Sequence, residues 1–184
     1  MPRKYALKRR ADAQVDTRRR ITEATVELHA TVGPAKTTIS AIADKAGVQR
    51  LTVYRHFADE RDLFAACSAH WLAANPPPDP EPWVEIAEPH ERLIQALTEV
   101  YGWYRANAGM LANTERDAPA LPALAEVADP TRYLAPVKQI LSRGWEPDPA
   151  GLGHALAFST WRDLTVHQGL TDPSAATLIA RIVT

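Results

Sequence analysis

The sequence predicts an all-α fold of about nine helices, with an N-terminal three-helix unit followed by a larger C-terminal helical domain. Three observations predict it. Apolar residues recur at spacings of three and four along most of the 184 residues. No segment shows the two-residue alternation of a half-buried strand. Gly and Pro fall mainly where helices begin or end.

Taken in order, residues 1–15 are polar and basic with no apolar period, and read as a flexible arm. From Asp16 the pattern turns helical. Ile21, Ala24, Leu28 and Val32 share one face, and Gly33-Pro34 stops the helix. Two short helices fill the stretch up to Phe57. A fourth runs from Glu60 to Ala74, with Asp59 as N-cap and Leu63, Phe64, Cys67 and Trp71 on its buried stripe. Residues 75–88 follow as a connector. Its first part has five prolines between Asn75 and Pro82, which forbid an α-helix and favour a stiff extended chain.

Pro89 suits the first position of the next helix, whose apolar face is Leu93, Leu97, Val100, Tyr101, Tyr104 and Ala108. Residues 115–128 read as a weak helix interrupted by Pro119 and Pro122. Another helix spans Thr131 to Arg143 and ends at Gly144. Pro149 opens a long segment to His167 that is apolar nearly all round, and Gly169 closes it. Asp172-Pro173 starts the last helix.

Composition excludes some classes. One cysteine, Cys67, allows no disulfide within the chain, and a reducing compartment, the cytoplasm, is the natural reading. No apolar region follows the basic N-terminus as in a secretory signal, and no run approaches a membrane span. Net charge is only −1, but its distribution is uneven. Residues 1–58 carry 12 Lys and Arg against 5 Asp and Glu, and residues 59–184 carry 9 against 17. A basic head on an acidic body suggests that one end meets a polyanion.

The stretch TTISAIADKAGVQRLTVYRHF (37–57) fits a helix-turn-helix position by position. Thr38 can cap the first helix, Ile42 and Ala43 face inward, and Gly47 can take the positive φ of a sharp turn. Val48 and Val53 lie beneath the second helix. A plain helical hairpin would account for Ala43 and Gly47 alone, but not for all five features in register. The second helix, about Arg50 to His56, would enter a major groove. Arg50 is long enough to read a guanine O6/N7 edge, and Thr52 to meet a base or a thymine methyl. Tyr54, Arg55 and His56 have polar tips suited to phosphates.

With Asp59 to Phe64 added, this stretch resembles the TetR family signature, in which a turn Gly-Val precedes a helix ending Thr-x-Tyr-x-x-Phe. The resemblance covers residues 17–72. It implies that Thr38 and Ser40 approach DNA from the second helix, that Gln49, Arg50, Leu51 and Thr52 form the reading face, and that Tyr54, Arg55 and His56 clamp phosphates. Two departures matter. Leu51 stands where the family has a small residue or proline, suggesting an apolar contact to a thymine methyl or an unusual operator. Glu60 replaces a common lysine, so that Arg61 or the basic arm would have to supply the phosphate contact.

The resemblance also implies a domain plan: 16–58 as the DNA-binding helix-turn-helix, 59–74 as a connecting helix and 89–184 as an effector-binding and dimerisation domain. A homodimer would grip a palindromic duplex operator and release it when a small apolar or aromatic effector binds. Helices 149–168 and 173–183 would pair with their copies, and the apolar surface of 152–166 fits that. Candidate pocket walls are Trp103, Tyr104, Trp145, Phe158 and Trp161, with Asn107, His154, Arg162 and His167 as polar handles. Ordinary packing is the competing account for each.

An enzyme is a poor fit. His90-Glu91 begins like the zinc motif H-E-x-x-H, but position 94 is Ile, and no Gly-rich phosphate loop or Ser elbow is present. No metal or cofactor is called for. A dimeric DNA-binding protein without an effector is the remaining alternative.

Overall fold

The computed structural model describes residues 2–183, and no strand occurs among them. In chain order the helices are α1 (Pro2–Thr31), α2 (Ile39–Ala46), α3 (Arg50–His56), α4 (Glu60–Ala74), α5 (Pro89–Ala106), α6 (Ala108–Asp117), α7 (Pro122–Val127), α8 (Thr131–Leu141), α9 (Pro149–Ala155), α10 (Phe158–Arg162) and α11 (Asp172–Val183). Short 3-10 turns lie at Pro34–Lys36, Glu81–Glu85 and Ala118–Ala120. The chain divides into two compact units. One is Met1–Asn75 with Ala112–Ala128, and the other is Pro76–Leu111 with Asp129–Thr184. Residues 112–128, expected in the effector domain, thus belong with the head.

Helix α1 is longer than its apolar period announced. Of the expected flexible arm, Met1 lies outside the described residues, and residues 2–15 continue the helix. Residues 6–14, ALKRRADAQ, are almost all strong helix formers, so no buried stripe is needed to extend the coil. From Ile21 on, α1 packs against α2 and α4 around a core of Ile21, Ala24, Ile42, Ala43, Val53, Phe57, Leu63, Phe64 and Cys67. The Cys67 thiol is pushed up to about 12 by burial, as befits a packing residue rather than a nucleophile.

Behind this core, the end of α6 is stitched to the end of α1. Asp117 is 5% exposed. It accepts hydrogen bonds from the Ala35 amide (3.0 Å) and from Arg116 Nε (2.7 Å), while Asn113 Nδ2 donates to the carbonyls of His29 (2.9 Å) and Ala30 (3.0 Å). The neighbouring Arg116 guanidinium holds the Asp117 carboxyl below its ordinary value. Asn113 therefore satisfies carbonyls near the C-terminal end of α1, and Asp117 the amide of Ala35 in the 3-10 turn that follows.

The second unit is built on α5, which packs along α11 and meets α8 and α10. Its core holds Leu93, Leu97, Val100, Tyr101, Tyr104, Leu141, Leu152, Leu156 and Trp161. Two expectations change here. The proline-rich connector is not simply extended: residues 81–85 form a 3-10 turn that places Trp83 in the core at 1% exposure, its Nε1 donating to Glu99 (3.0 Å). Nor is the segment 149–167 one helix. It breaks at Leu156-Ala157, then widens into a π turn at Asp163–His167. Tyr101 and Tyr104 donate their hydroxyls to the carbonyls of Ala155 and Leu156, each at 2.7 Å, so the break leaves neither carbonyl orphaned. No helix among the described residues is long and apolar enough to cross a membrane.

Candidate nucleic-acid interface

The helix-turn-helix forms where its residues require it. Thr38 Oγ1 accepts from the Ala41 amide at 3.1 Å, capping α2. At the other end Gly47 sits at φ 64°, ψ 42°, while the Val48 amide reaches Ala43 O (2.9 Å) and the Gly47 amide reaches Asp44 O (3.2 Å). This paired arrangement satisfies two carbonyls and turns the chain into α3. An Ala at Gly47 is expected to cost about 1–2 kcal/mol, from the left-handed backbone and from a Cβ that would lie 3.1 Å from Arg20 Nη2. Urea unfolding of G47A checks this; an unchanged midpoint would show that the turn does not depend on glycine.

Helix α3 has seven residues, and one of them holds it down. Val53 is 1% exposed, whereas Leu51 is 63% and Tyr54 55% exposed. Arg50 and Arg55 are exposed too, with Thr52 and His56 half-buried. A seven-residue helix has little stability of its own. Its position is set from α1 by two arginines that sequence reasoning missed as functional. Arg18 Nη1 donates to the carbonyl of His56, Arg18 Nη2 pairs with Asp62 (2.8 Å), and the guanidinium lies 4.1 Å from the centre of the Phe57 ring. Arg20 Nη2 donates to Ala46 O and Gly47 O. Each guanidinium thus meets the negative end of a short helix, Arg20 that of α2 and Arg18 that of α3. The available signal was spacing: Arg18 and Arg20 stand one turn before Ile21 and Ala24 on the apolar stripe, while Arg19 pairs along the surface with Asp16 and Glu23.

The outward set is therefore Thr38, Gln49, Arg50, Leu51, Tyr54 and Arg55, all exposed, with Ser40, Thr52 and His56 partly so. Such a surface can present a fork of donors, an apolar knob and a phenol to a ligand that carries both bases and phosphates. Arg61 is not part of it, since its guanidinium forms a two-pronged pair with Glu126 on α7 (2.6 and 3.0 Å). Asp59 and Glu60 stay exposed at the start of α4.

In the second unit, Trp103, Tyr104, Phe158 and Trp161 do come together, with ring centres 5.3–6.1 Å apart along the chain of contacts. The polar tips of Tyr104 and Trp161 are engaged within the protein. Trp161 Nε1 donates to Asp172 (2.9 Å), and Trp145 Nε1, past the end of α8, donates to Leu141 O (2.6 Å). Asn107 Nδ2 donates to Trp103 O (2.9 Å), Arg162 lies over the Phe158 ring, and His154, exposed, pairs with Thr160 (3.2 Å). His167 is exposed beside Asp163. Of the apolar run 152–166, Leu152, Leu156 and Trp161 are buried in the unit's own core at 2% exposure or less, because the break and π turn rotate successive faces inward. Val166 (60%), Leu178 (39%) and Ile182 (69%) remain outside.

Comparison with known proteins bears on this geometry. Residues 21–67 match the family model for bacterial regulatory proteins of the tetR family. The whole chain resembles solved structures at low identity. A protein of Mesorhizobium loti MAFF303099 assigned to the TetR family of transcriptional regulators aligns with TM-score 0.64 and 18% identity, over 92% of this chain and 96% of that one. A TetR-like transcriptional regulator from Rhodococcus sp. RHA1 aligns with TM-score 0.59 and 19% identity, over 91% and 93%. The multidrug binding protein EbrR, solved with imidazole, aligns with TM-score 0.58 and 22% identity, over 91% and 94%. No curated protein matches in sequence.

Proposed function

We propose that this chain, whose residues 21–67 match the family model for bacterial regulatory proteins of the tetR family and whose fold resembles that of solved transcriptional regulators of that family, is a homodimeric repressor that binds a palindromic operator and is released by a small molecule. The observation that carries this is the exposed face of α3. Arg50, Leu51, Tyr54 and Arg55 are exposed around the one buried residue, Val53, and no side-chain hydrogen bond or ion pair ties them to other described residues. One seven-residue helix touches too few bases for useful specificity, so two copies about 34–36 Å apart would read a two-fold site. The apolar side chains left outside in the second unit, Val166, Leu178 and Ile182, support pairing of α11 and the π turn with their copies.

Selection of bound duplexes from a random pool tests the reading, and a palindrome with half-sites one helical turn apart is the expected result. On the selected site, Arg50→Ala should lower discrimination at one base position by about 1–3 kcal/mol. Its affinity for random DNA should change far less. If R50A selected the same site with the same stringency, the reading face would have to be reassigned.

A second reading, DNA binding without an effector, draws on the aromatic cluster. Its tyrosine hydroxyls and the Trp145 and Trp161 indoles already have partners inside the protein. A melting screen against apolar and aromatic compounds separates the two, because a ligand of the folded form raises stability by RT ln(1 + [L]/Kd).

A further inference from the structure

Helix α3 carries two aliphatic side chains, and they have opposite fates. Val53 is 1% exposed beneath the helix, whereas Leu51 is 63% exposed. Two residues along an α-helix is about 200° of rotation, so the burial of Val53 puts Leu51 on the far side. Its neighbours there are polar: Gln49 and Arg50 before it and Arg55 one turn on, all exposed. A lone exposed leucine is ordinary on a protein surface. This one stands among side chains that the proposed function brings against base edges, in a head that carries the chain's excess of Lys and Arg.

We propose that Leu51 reads a pyrimidine C5 methyl group in the major groove, so that each half-site holds a thymine facing it and 5-methylcytosine makes the same contact. This deepens the DNA-binding reading and rests on it. The leucine side chain has neither donor nor acceptor. Pressed on the N7 and O6 of guanine or the amino group of cytosine, it would strip water from those groups and return no hydrogen bond. The C5 methyl of thymine is the apolar feature that an unmodified base edge shows in that groove. Contact there takes one methyl group out of water, for an expected gain of about fourfold in affinity. 5-Methylcytosine carries its methyl on the same ring carbon. Methylation of a cytosine at this position therefore strengthens binding although no hydrogen-bonding group of the base has changed.

The test uses the full chain and the duplex selected from random DNA, with dissociation constants measured at one salt concentration. Each thymine of the site is replaced in turn by uracil, which lacks only the methyl. At one position per half-site the replacement should weaken binding about fourfold, and at both together about sixteenfold. Leu51→Ala should bind the thymine and uracil duplexes alike; the position is exposed and alanine favours a helix, so the fold is kept. With cytosine at the same position, C5 methylation should tighten the native protein about fourfold and L51A not at all. The uracil scan and the cytosine pair are read on the native chain, and they decide the matter even if L51A does not fold. A site indifferent to every uracil, or a methyl effect that persists in L51A, would overturn the proposal and leave the regulator reading standing. Failure to select any site would overturn both.

Discussion

Trp83→Ala is expected to destabilise the second unit by about 3–5 kcal/mol, a large fraction of the ~5–15 kcal/mol that holds a domain together. The ring is 1% exposed among the side chains of α5 and its neighbours, and its removal also leaves Glu99 Oε2 without the indole donor. Unlike a surface truncation, the change opens a cavity that the proline-bounded turn cannot close by shifting. Urea unfolding followed by helical circular dichroism reads the effect, and Trp83→Phe should recover most of it. A loss below about 1 kcal/mol would mean that the turn merely rests on the unit.

Stability should also fall on mild acidification, through His29. Burial lowers its pKa from the ordinary 6.5 to about 4, against a smaller opposing pull from Asp117. Below pH 6.5 the unfolded chain takes up a proton that the folded chain refuses. Stability at pH 7 is thus at its full value, declines as pH falls from 6.5 and levels off near 4. A shift of this size corresponds to about 3 kcal/mol. Asp62 and Asp117 act elsewhere: their carboxyls are held below their ordinary values by Arg18 and Arg116, so their contributions are lost only at still lower pH. Urea midpoints between pH 7.5 and 4.5 should follow this curve in the native protein and flatten in His29→Phe. A native midpoint independent of pH over that range would show that the imidazole is hydrated.

These two residues show where the sequence was legible and where it was not. Helix α4 begins and ends where read, with Asp59 capping through the Asp62 amide (2.8 Å), because both signals lie within one turn of the boundary. Pro89 at the start of α5 and Gly47 in the turn were visible for the same reason. Trp83 was hidden because prolines exclude an α-helix without excluding a 3-10 turn, in which Pro at the first positions is at home. The arm was misread because apolar periodicity reports burial, and residues 11–16 are helical while exposed. The break at Leu156-Ala157 depends on Tyr101 and Tyr104, more than fifty residues away. Arg18 and Arg20 likewise act across 38 and 26 residues. Such long-range donors leave no local period, so helix α3 was recognisable while the groups that hold it in place were not.

One consequence of that division of labour concerns how such a protein can change. Val53, Phe57 and Arg18 hold α3 and Arg20 holds the turn before it, while its solvent-facing side chains make no hydrogen bond or ion pair with other described residues. The helix is in effect an exchangeable key blade on a fixed bow. On the DNA-binding function proposed above, residues 50, 51, 54 and 55 can be recut for a new sequence of base pairs while the lock-turning framework stays untouched.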